Sequence, residues 1–433
     1  MARITRGAAH VGVIGMGYAG LPLALTFVER ARARVTGFDV DPDKVARLRR
    51  GETYIQHLGA ERVRRAQASG LFDATSDLAR LSEPDALLIA VPTPLTPQRE
   101  PDLQYVLKTG EAVAAALRPG QLVVLESTTY PGTTDGPLRA LLEGSGLTLG
   151  RDFFLAFSPE REDPGNKVYS TASIPKVVGG VDDASGRLAT ALYQTAMESV
   201  VPVRSARVAE ATKLTENIFR SVNIALVNEL KVVYDRMGID VWDVLDAAAT
   251  KPFGFMRFSP GPGLGGHCVP LDPFYLTWKA REFGVTTRFI ELAGEVNVAM
   301  PRYVIDKLQA ALNQRGQAVR GSRVLVLGLA YKRDIDDPRE SSAFELMDLL
   351  IQRGAEVSYH DPHIEVAPKM RSWPDLPPMR STPLSPELLR QQDAVLIATD
   401  HAAVDYAEVV THARLVIDSR GVYREPLSNV VKA

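Results

Sequence analysis

The chain carries one cysteine, Cys268, in 433 residues. A single thiol forms no internal disulfide and builds no cysteine-rich zinc site. A basic excess is missing as well. The 50 Lys and Arg stand against 52 Asp and Glu, a formal charge of −2, which argues against a nucleic-acid binder. No apolar run reaches the ~18 residues that a membrane-spanning helix needs. The opening stretch MARITRGAAHVGVIGMGYAGLPLAL sets apolar residues behind basic ones, yet glycines interrupt it at structured spacing and no clean cleavage site follows. A mature cytoplasmic protein is expected. Low-complexity segments and short repeats are absent, and no spacing links His267 to another ligand-type residue, so no metal site is expected. Length is ample: at ~150 residues per domain the chain accommodates roughly three.

A strand pattern, His10 to Ile14, runs into Gly15, Gly17 and Gly20 in G-x-G-x-x-G spacing, and a helical stretch follows from Leu21 to about Arg30. A second strand, Ala33 to Phe38, ends in Asp39. This order is the dinucleotide-binding βαβ pattern. Gly15 permits the tight turn, Gly17 admits the pyrophosphate, and Gly20 lets helix and strand pack closely. The helix N-terminus offers N–H groups to phosphate. A carboxylate at Asp39 accepts from ribose hydroxyls and repels a 2′-phosphate, which favours NAD over NADP. Further strands at Ala86 to Val91 and Gln121 to Leu125 predict a parallel, doubly wound sheet.

The stretch from about Ser205 to Met237 has few breakers and a 3.6-residue apolar period, so it predicts a long helix, either a spine or a subunit contact. Near Arg323 the alternation restarts. VLVLGLAYK is a strand with a glycine turn, Ser341 to Arg353 a helix, and Glu356 to Tyr359 a strand ending in His-Asp-Pro. Later strands are Ala394 to Ala398 and Leu415 to Asp418, with a proline-rich loop over about 366–386. The expected fold class is α/β: two Rossmann-like doubly wound parallel-sheet domains, 1–200 and 311–433, joined by a helical domain, 201–310.

Chemistry concentrates in GPGLGGHCVPLDP, residues 261–273. Most lone cysteines are small buried hydrophobes. Here glycines precede Cys268, His267 adjoins it and Asp272 lies four residues on, a setting that suits a thiolate nucleophile and a base for water. His267 itself reads as structural. Glu210, Lys213, Asn217, Ser221 and Asn228 form a polar stripe on an apolar helix; it is either a solvated face or a row facing a site. Lys213 and Asn217, one turn apart, could together donate to an oxyanion. Hydroxyls at Thr93, Ser127 and Thr128 follow strand ends, where ligands bind in such sheets. Glu160 lies in AFSPEREDPG, and Lys332, Arg333 and Arg339 form a basic cluster that could hold a diphosphate or be a salt-bridged loop.

The ordered motifs GMGYAGLP, VPTP, ESTTYPGTT, FSPER, EATKLTEN, GGHCVPLDP and AYKRDIDDPRES resemble the UDP-glucose/GDP-mannose dehydrogenase family over nearly the whole chain. Residues 250–280 resemble most the members that act on UDP-N-acetylglucosamine. The resemblance implies an NAD-linked four-electron oxidation of a C6 alcohol to a carboxylate. It makes Cys268 the nucleophile, Asp272 the water-activating base, and Lys213 and Asn217 the oxyanion donors. Thr128 and Glu160 would position water and assist proton transfer. Gly15, Gly17, Tyr18, Ala19, Gly20, Asp39, Lys44, Thr93 and Thr128 would face NAD, and Lys332 and Arg339 the nucleotides. It also implies a central dimerisation domain, a C-terminal UDP-binding domain and a homodimer or higher homo-oligomer, with no nucleic-acid or membrane partner. UDP-glucose and UDP-N-acetylmannosamine are the alternative substrates. A two-electron 3-hydroxyacid dehydrogenase would not need the Gly-Gly-His-Cys segment, and a non-catalytic NAD-binding scaffold would not need Cys268, Asp272 and Lys213 together.

Overall fold

The computed structural model describes the whole chain except residues 56, 57, 97, 99, 164, 165, 167 and 267–270. It divides into two compact units, Met1–Glu216 with Phe274–Thr286, and Asn217–Pro273 with Thr287–Ala433.

The first unit is built on an eight-stranded sheet. Its strands are β1 (His10–Ile14), β2 (Arg34–Phe38), β3 (Phe72–Thr75), β4 (Ala86–Ile89), β5 (Leu122–Leu125), β6 (Phe154–Phe157), β7 (Lys176–Gly180) and β8 (Val200–Val203). Their spatial order is β3-β2-β1-β4-β5-β6-β7-β8. Every residue of β1, β4, β5 and β7 is buried. That accounts for the unbroken apolar runs of β4 and β5: a central parallel strand is covered on both faces. The chain reverses its winding between β1 and β4, which opens the crevice where ligands of such sheets bind. One pairing departs from the expected parallel arrangement. β6 and β7 run antiparallel, with Phe157 opposite Gly179. The parallel neighbours are joined through helical crossovers, whereas residues 158–175 hold no helix among the described residues and turn the chain straight back.

The second unit holds a five-stranded, all-parallel sheet of β9 (Arg323–Leu327), β10 (Glu356–His360), β11 (Ala394–Ile397), β12 (Val416–Asp418) and β13 (Val430–Lys432), ordered β10-β9-β11-β12-β13. The predicted long helix spans Ala206–Met237. A second long helix, Arg288–Gln314, was not legible as such in the sequence, and Pro301 lies inside it. Its buried residues Ala293, Asn297, Met300, Val304, Leu308 and Ala311 recur every three to four positions, one face of a helix that packs into the core under β9 and β11.

Candidate active site

The first glycine turn is built by close packing. Gly15 has φ +94°, and a Cβ there would sit 2.4 Å from the Ala90 carbonyl oxygen; at Gly20 it would sit 1.8 Å from the Gly15 oxygen. No side chain fits at either position. Gly17 is different: a Cβ there meets nothing within 4 Å, so the space in front of the turn is open. The helix Gly20–Ala31 starts at that space, with Tyr18 and Ala19 half-buried before it. Asp39, buried at the end of β2, accepts the Met16 N–H at 2.9 Å and the Asp41 N–H at 3.0 Å, and Lys44 Nζ lies 3.6 Å away. An open approach over Gly17, a helix that starts at it and a carboxylate beside them fit the diphosphate and ribose of NAD.

The loops at the ends of β4, β5 and β6 are each tied down. Ser127 Oγ donates to the Val91 carbonyl at 2.8 Å and accepts the Val91 N–H at 2.9 Å. The Thr93 carbonyl accepts the Tyr275 hydroxyl at 2.9 Å, a partner that sequence reasoning missed because the two are 182 residues apart. Thr128 is half-buried between Ser127 and the fully buried Thr129. Lys213, 5% exposed, donates to the Glu160 backbone carbonyl at 2.5 Å and lies 3.8 Å from its carboxylate. A narrow recess is lined by Ala19, Ala90, Glu126, Glu160 and Lys176 among others, joining the glycine turn to the Glu160 loop.

The polar stripe of the long helix is not a solvated face. Glu210, Lys213, Asn217, Ser221 and Asn228 are all buried. Glu210 accepts from the N–H groups of Gly132 at 2.7 Å and Thr134 at 2.9 Å, pinning the loop that carries Thr128. Burial outweighs these bonds and pushes its carboxyl up to about 7. In the second unit Asn217 Nδ2 donates to Asp272 Oδ2 at 2.5 Å, both side chains being buried. Asn228 Oδ1 accepts the Gly261 N–H at 3.0 Å while its amide donates to Asn297 at 2.9 Å, which fixes the start of the cysteine segment. Further along that segment, the Gly266 N–H donates to the Arg339 carbonyl at 3.1 Å. A Cβ on Gly265 would strike Tyr331 at 2.7 Å. Cys268 and His267 themselves lie outside the described residues.

Both arginines of the basic cluster meet carboxylates. Arg339 is paired with buried Asp337 at 2.6 Å, and Arg333 lies 3.2 Å from Asp400 and 3.5 Å from Asp334. Lys332 is half-buried. Nearby, Asp334, His363 and His401 bring one ligand-type atom each within 4.8 Å of one another. His401 Nδ1 accepts the Asp334 backbone N–H at 3.0 Å and its Nε2 donates to Asp361 at 3.1 Å, so neither ring nitrogen keeps a lone pair for a cation.

Three family models match this chain in order. They are the NAD binding domain of the UDP-glucose/GDP-mannose dehydrogenase family over residues 9–197, its central domain over 207–299 and its UDP binding domain over 325–425. A UDP-N-acetyl-D-glucosamine 6-dehydrogenase of Pseudomonas aeruginosa is 35% identical over 394 residues, 90% of each chain. An NDP-N-acetyl-D-galactosaminuronic acid dehydrogenase of Ralstonia solanacearum is 35% identical over 425 residues, 95% of this chain and 96% of that one. Among solved structures, a UDP-D-ManNAc dehydrogenase from Pyrococcus horikoshii superposes with a TM-score of 0.88 at 31% identity, covering 98% of both chains. No described helix is long and apolar enough to cross a membrane. The glycine turn, the buried pairs and these matches agree, and the chain belongs to the UDP-glucose/GDP-mannose dehydrogenase family.

Proposed function

We propose that this protein oxidises the C6 alcohol of a UDP-sugar to the carboxylate, with UDP-N-acetylglucosamine as its substrate. It is an NAD-dependent oxidoreductase acting on a CH–OH group. NAD⁺ supplies the hydride acceptor for both two-electron steps. The observation that carries the reading is a pair of contacts, Lys213 with Glu160 and Asn217 with Asp272, which tie four residues from three separate motifs into polar couples.

In this reading the Cys268 thiolate adds to the C6 aldehyde left by the first oxidation. Lys213 and Asn217, four residues apart on one helix, donate to the oxyanion that forms. Loss of the second hydride leaves a thioester on Cys268. Asp272, Glu160 and Thr128 orient and deprotonate the water that cleaves it. Gly15, Gly17, Tyr18, Ala19, Gly20, Asp39, Lys44 and Thr93 hold the cofactor, and Lys332 and Arg339 the nucleotide part of the substrate. The division of labour proposed along the chain is cofactor binding over 1–200, dimerisation and the nucleophile over 201–310, and the UDP-sugar over 311–433.

A homodimer is part of the proposal. Phe219, Leu226 and Val233 repeat every seven residues on the long helix and are 49%, 54% and 45% exposed, an apolar seam suited to the same helix of a second copy. A UDP-sugar substrate and a lone reduced thiol suit the cytoplasm. The deciding experiment counts NADH across a panel of UDP-sugars. Two NADH per sugar with highest kcat/KM on UDP-N-acetylglucosamine is expected, and one NADH per sugar, or none, overturns the four-electron reading. Cys268→Ser is expected to bind UDP-sugar yet form no acid at the native rate; near-native acid production by Cys268→Ala removes the covalent step.

A further inference from the structure

Behind the Glu160 loop lies a buried charge cluster that the reaction does not use. Lys176 opens β7, Glu126 follows β5, and β6 lies between those two strands. Their side chains meet across the exit of β6 in an ion pair, with side-chain exposures of 8% and 2%. The Tyr193 hydroxyl donates to the other oxygen of Glu126, and the Lys176 ammonium sits 5.3 Å from the Tyr193 ring centre. Burial pushes the Glu126 carboxyl up against the pull of Lys176.

A buried ion pair is weak evidence for stability, because desolvation offsets most of its attraction. What distinguishes this one is its third contact. Lys176 Nζ also donates to the Pro159 carbonyl at 3.0 Å, one residue before Glu160. Lys213 donates to the Glu160 carbonyl itself. Two consecutive carbonyls are therefore each held by a buried ammonium. Ser158, just upstream, is fixed by its N–H to Leu125 at 3.0 Å and its hydroxyl to Val177 at 2.8 Å. Each residue from Ser158 to Glu160 is thus held by a hydrogen bond as the chain leaves β6, and Glu126, Lys176 and Glu160 line one recess.

We infer that Lys176, held by Glu126, is a positioning residue that sets the Glu160 carboxylate and its Lys213 contact for the oxidation. The inference rests on the reading of Glu160 as the group that assists water attack. Placement errors of about 1 Å cost up to ~100-fold in rate, so the donor to Pro159 controls turnover more than binding.

The test separates position from stability. Lys176→Met alone strands the Glu126 carboxylate without a cation, so both melting temperature and kcat are expected to fall. Glu126→Gln combined with Lys176→Met removes both charges and is expected to recover the melting temperature without restoring the donor to Pro159. In that double variant kcat should stay at least tenfold below native, with KM for NAD⁺ and for UDP-sugar within threefold. Backbone amides of residues 158 and 160–162 should exchange at least tenfold faster. A double variant whose kcat returns with its melting temperature makes the cluster merely structural and overturns the inference. If the double variant does not fold, Lys176→Gln, whose amide can still donate to Pro159, takes its place. A kcat for Lys176→Gln as low as that of Lys176→Met overturns the inference; recovery above it supports the inference. Should the native protein form no NADH with any UDP-sugar, the functional reading falls, and amide exchange alone decides: unchanged protection at 158 and 160–162 overturns the clamp.

Discussion

Each sheet holds a buried strand, a glycine turn and a neighbouring strand followed by an aspartate, and the two turns share their bonding. The Gly15 N–H donates to Phe38 at 2.7 Å, and the Gly328 N–H donates to His360 at 2.8 Å. A Cβ on either glycine would meet a carbonyl oxygen, that of Ala90 or Thr399, at 2.4 Å. The difference lies two residues on. In the first unit that position is Gly17, with open space before it; in the second it is Ala330, fully buried. The acids differ in the same sense. Asp39 accepts one N–H on each oxygen. Asp361 accepts the N–H groups of Leu329 at 2.6 Å, Ala330 at 3.0 Å, His363 at 2.7 Å and Ile364 at 3.0 Å, and His401 at 3.1 Å. Burial alone would raise the Asp361 carboxyl, but the His401 bond and these N–H groups outweigh it and hold it at about 2. One local pattern thus serves two ends: a carboxylate with bonding capacity left for a ligand, and one spent wholly on holding its own turn.

Removing the second acid tests that contrast most severely. Asp361→Asn replaces an acceptor oxygen with an amide NH₂ donor, so N–H groups that Asp361 accepts lose their partner, and a loss of about 3 kcal/mol of unfolding free energy is expected, with KM for NAD⁺ unmoved. Urea unfolding reads it, and a native-like midpoint would erase the distinction between the two acids. Gly17→Val should do the reverse. Filling the open approach is expected to weaken NAD⁺ binding about 100-fold, roughly 2.7 kcal/mol by calorimetry, with the melting temperature unchanged. Undiminished affinity would place the cofactor elsewhere.

Acid unfolding sharpens the same contrast. The Asp361 carboxyl falls from an unfolded value of 3.8 to about 2, so its stabilisation is complete above pH 3.8 and is lost as pH drops toward 2. This amounts to about 2 kcal/mol, and Asp361→Asn should flatten that limb of the stability profile. The smallest effect is on cofactor choice. NAD⁺ should outperform NADP⁺ because Asp39 repels a 2′-phosphate, and Asp39→Ala should narrow the ratio of kcat/KM about tenfold. Lys44, 3.6 Å from the carboxylate, limits the size of that change. Equal native use of both cofactors would remove Asp39 from the ribose.

The first βαβ unit and the long helix were legible because they depend on residues close in sequence. A glycine run, an acid about twenty residues on and a 3.6-residue period state local backbone geometry. β7 was less legible, since its antiparallel direction depends on how residues 158–175 return to the sheet. The polar stripe of the long helix stayed ambiguous for a similar reason. Periodicity shows that Glu210 and Asn228 share a face; it does not show that Gly132 and Gly261 come to meet them.

The sequence by itself determined the two strand-and-helix alternations, the NAD-type turn with Asp39, the family and the candidate site residues. Tertiary structure decided which of those side chains are partners. Asn217 reaches Asp272 across 55 residues, Glu126 reaches Lys176 across 50, and Lys213 reaches Glu160 across 53. Such contacts follow from the order in which strands are laid side by side. A local pattern encodes the dihedral angles of its own segment, and the free energy that joins distant segments comes from burying them together.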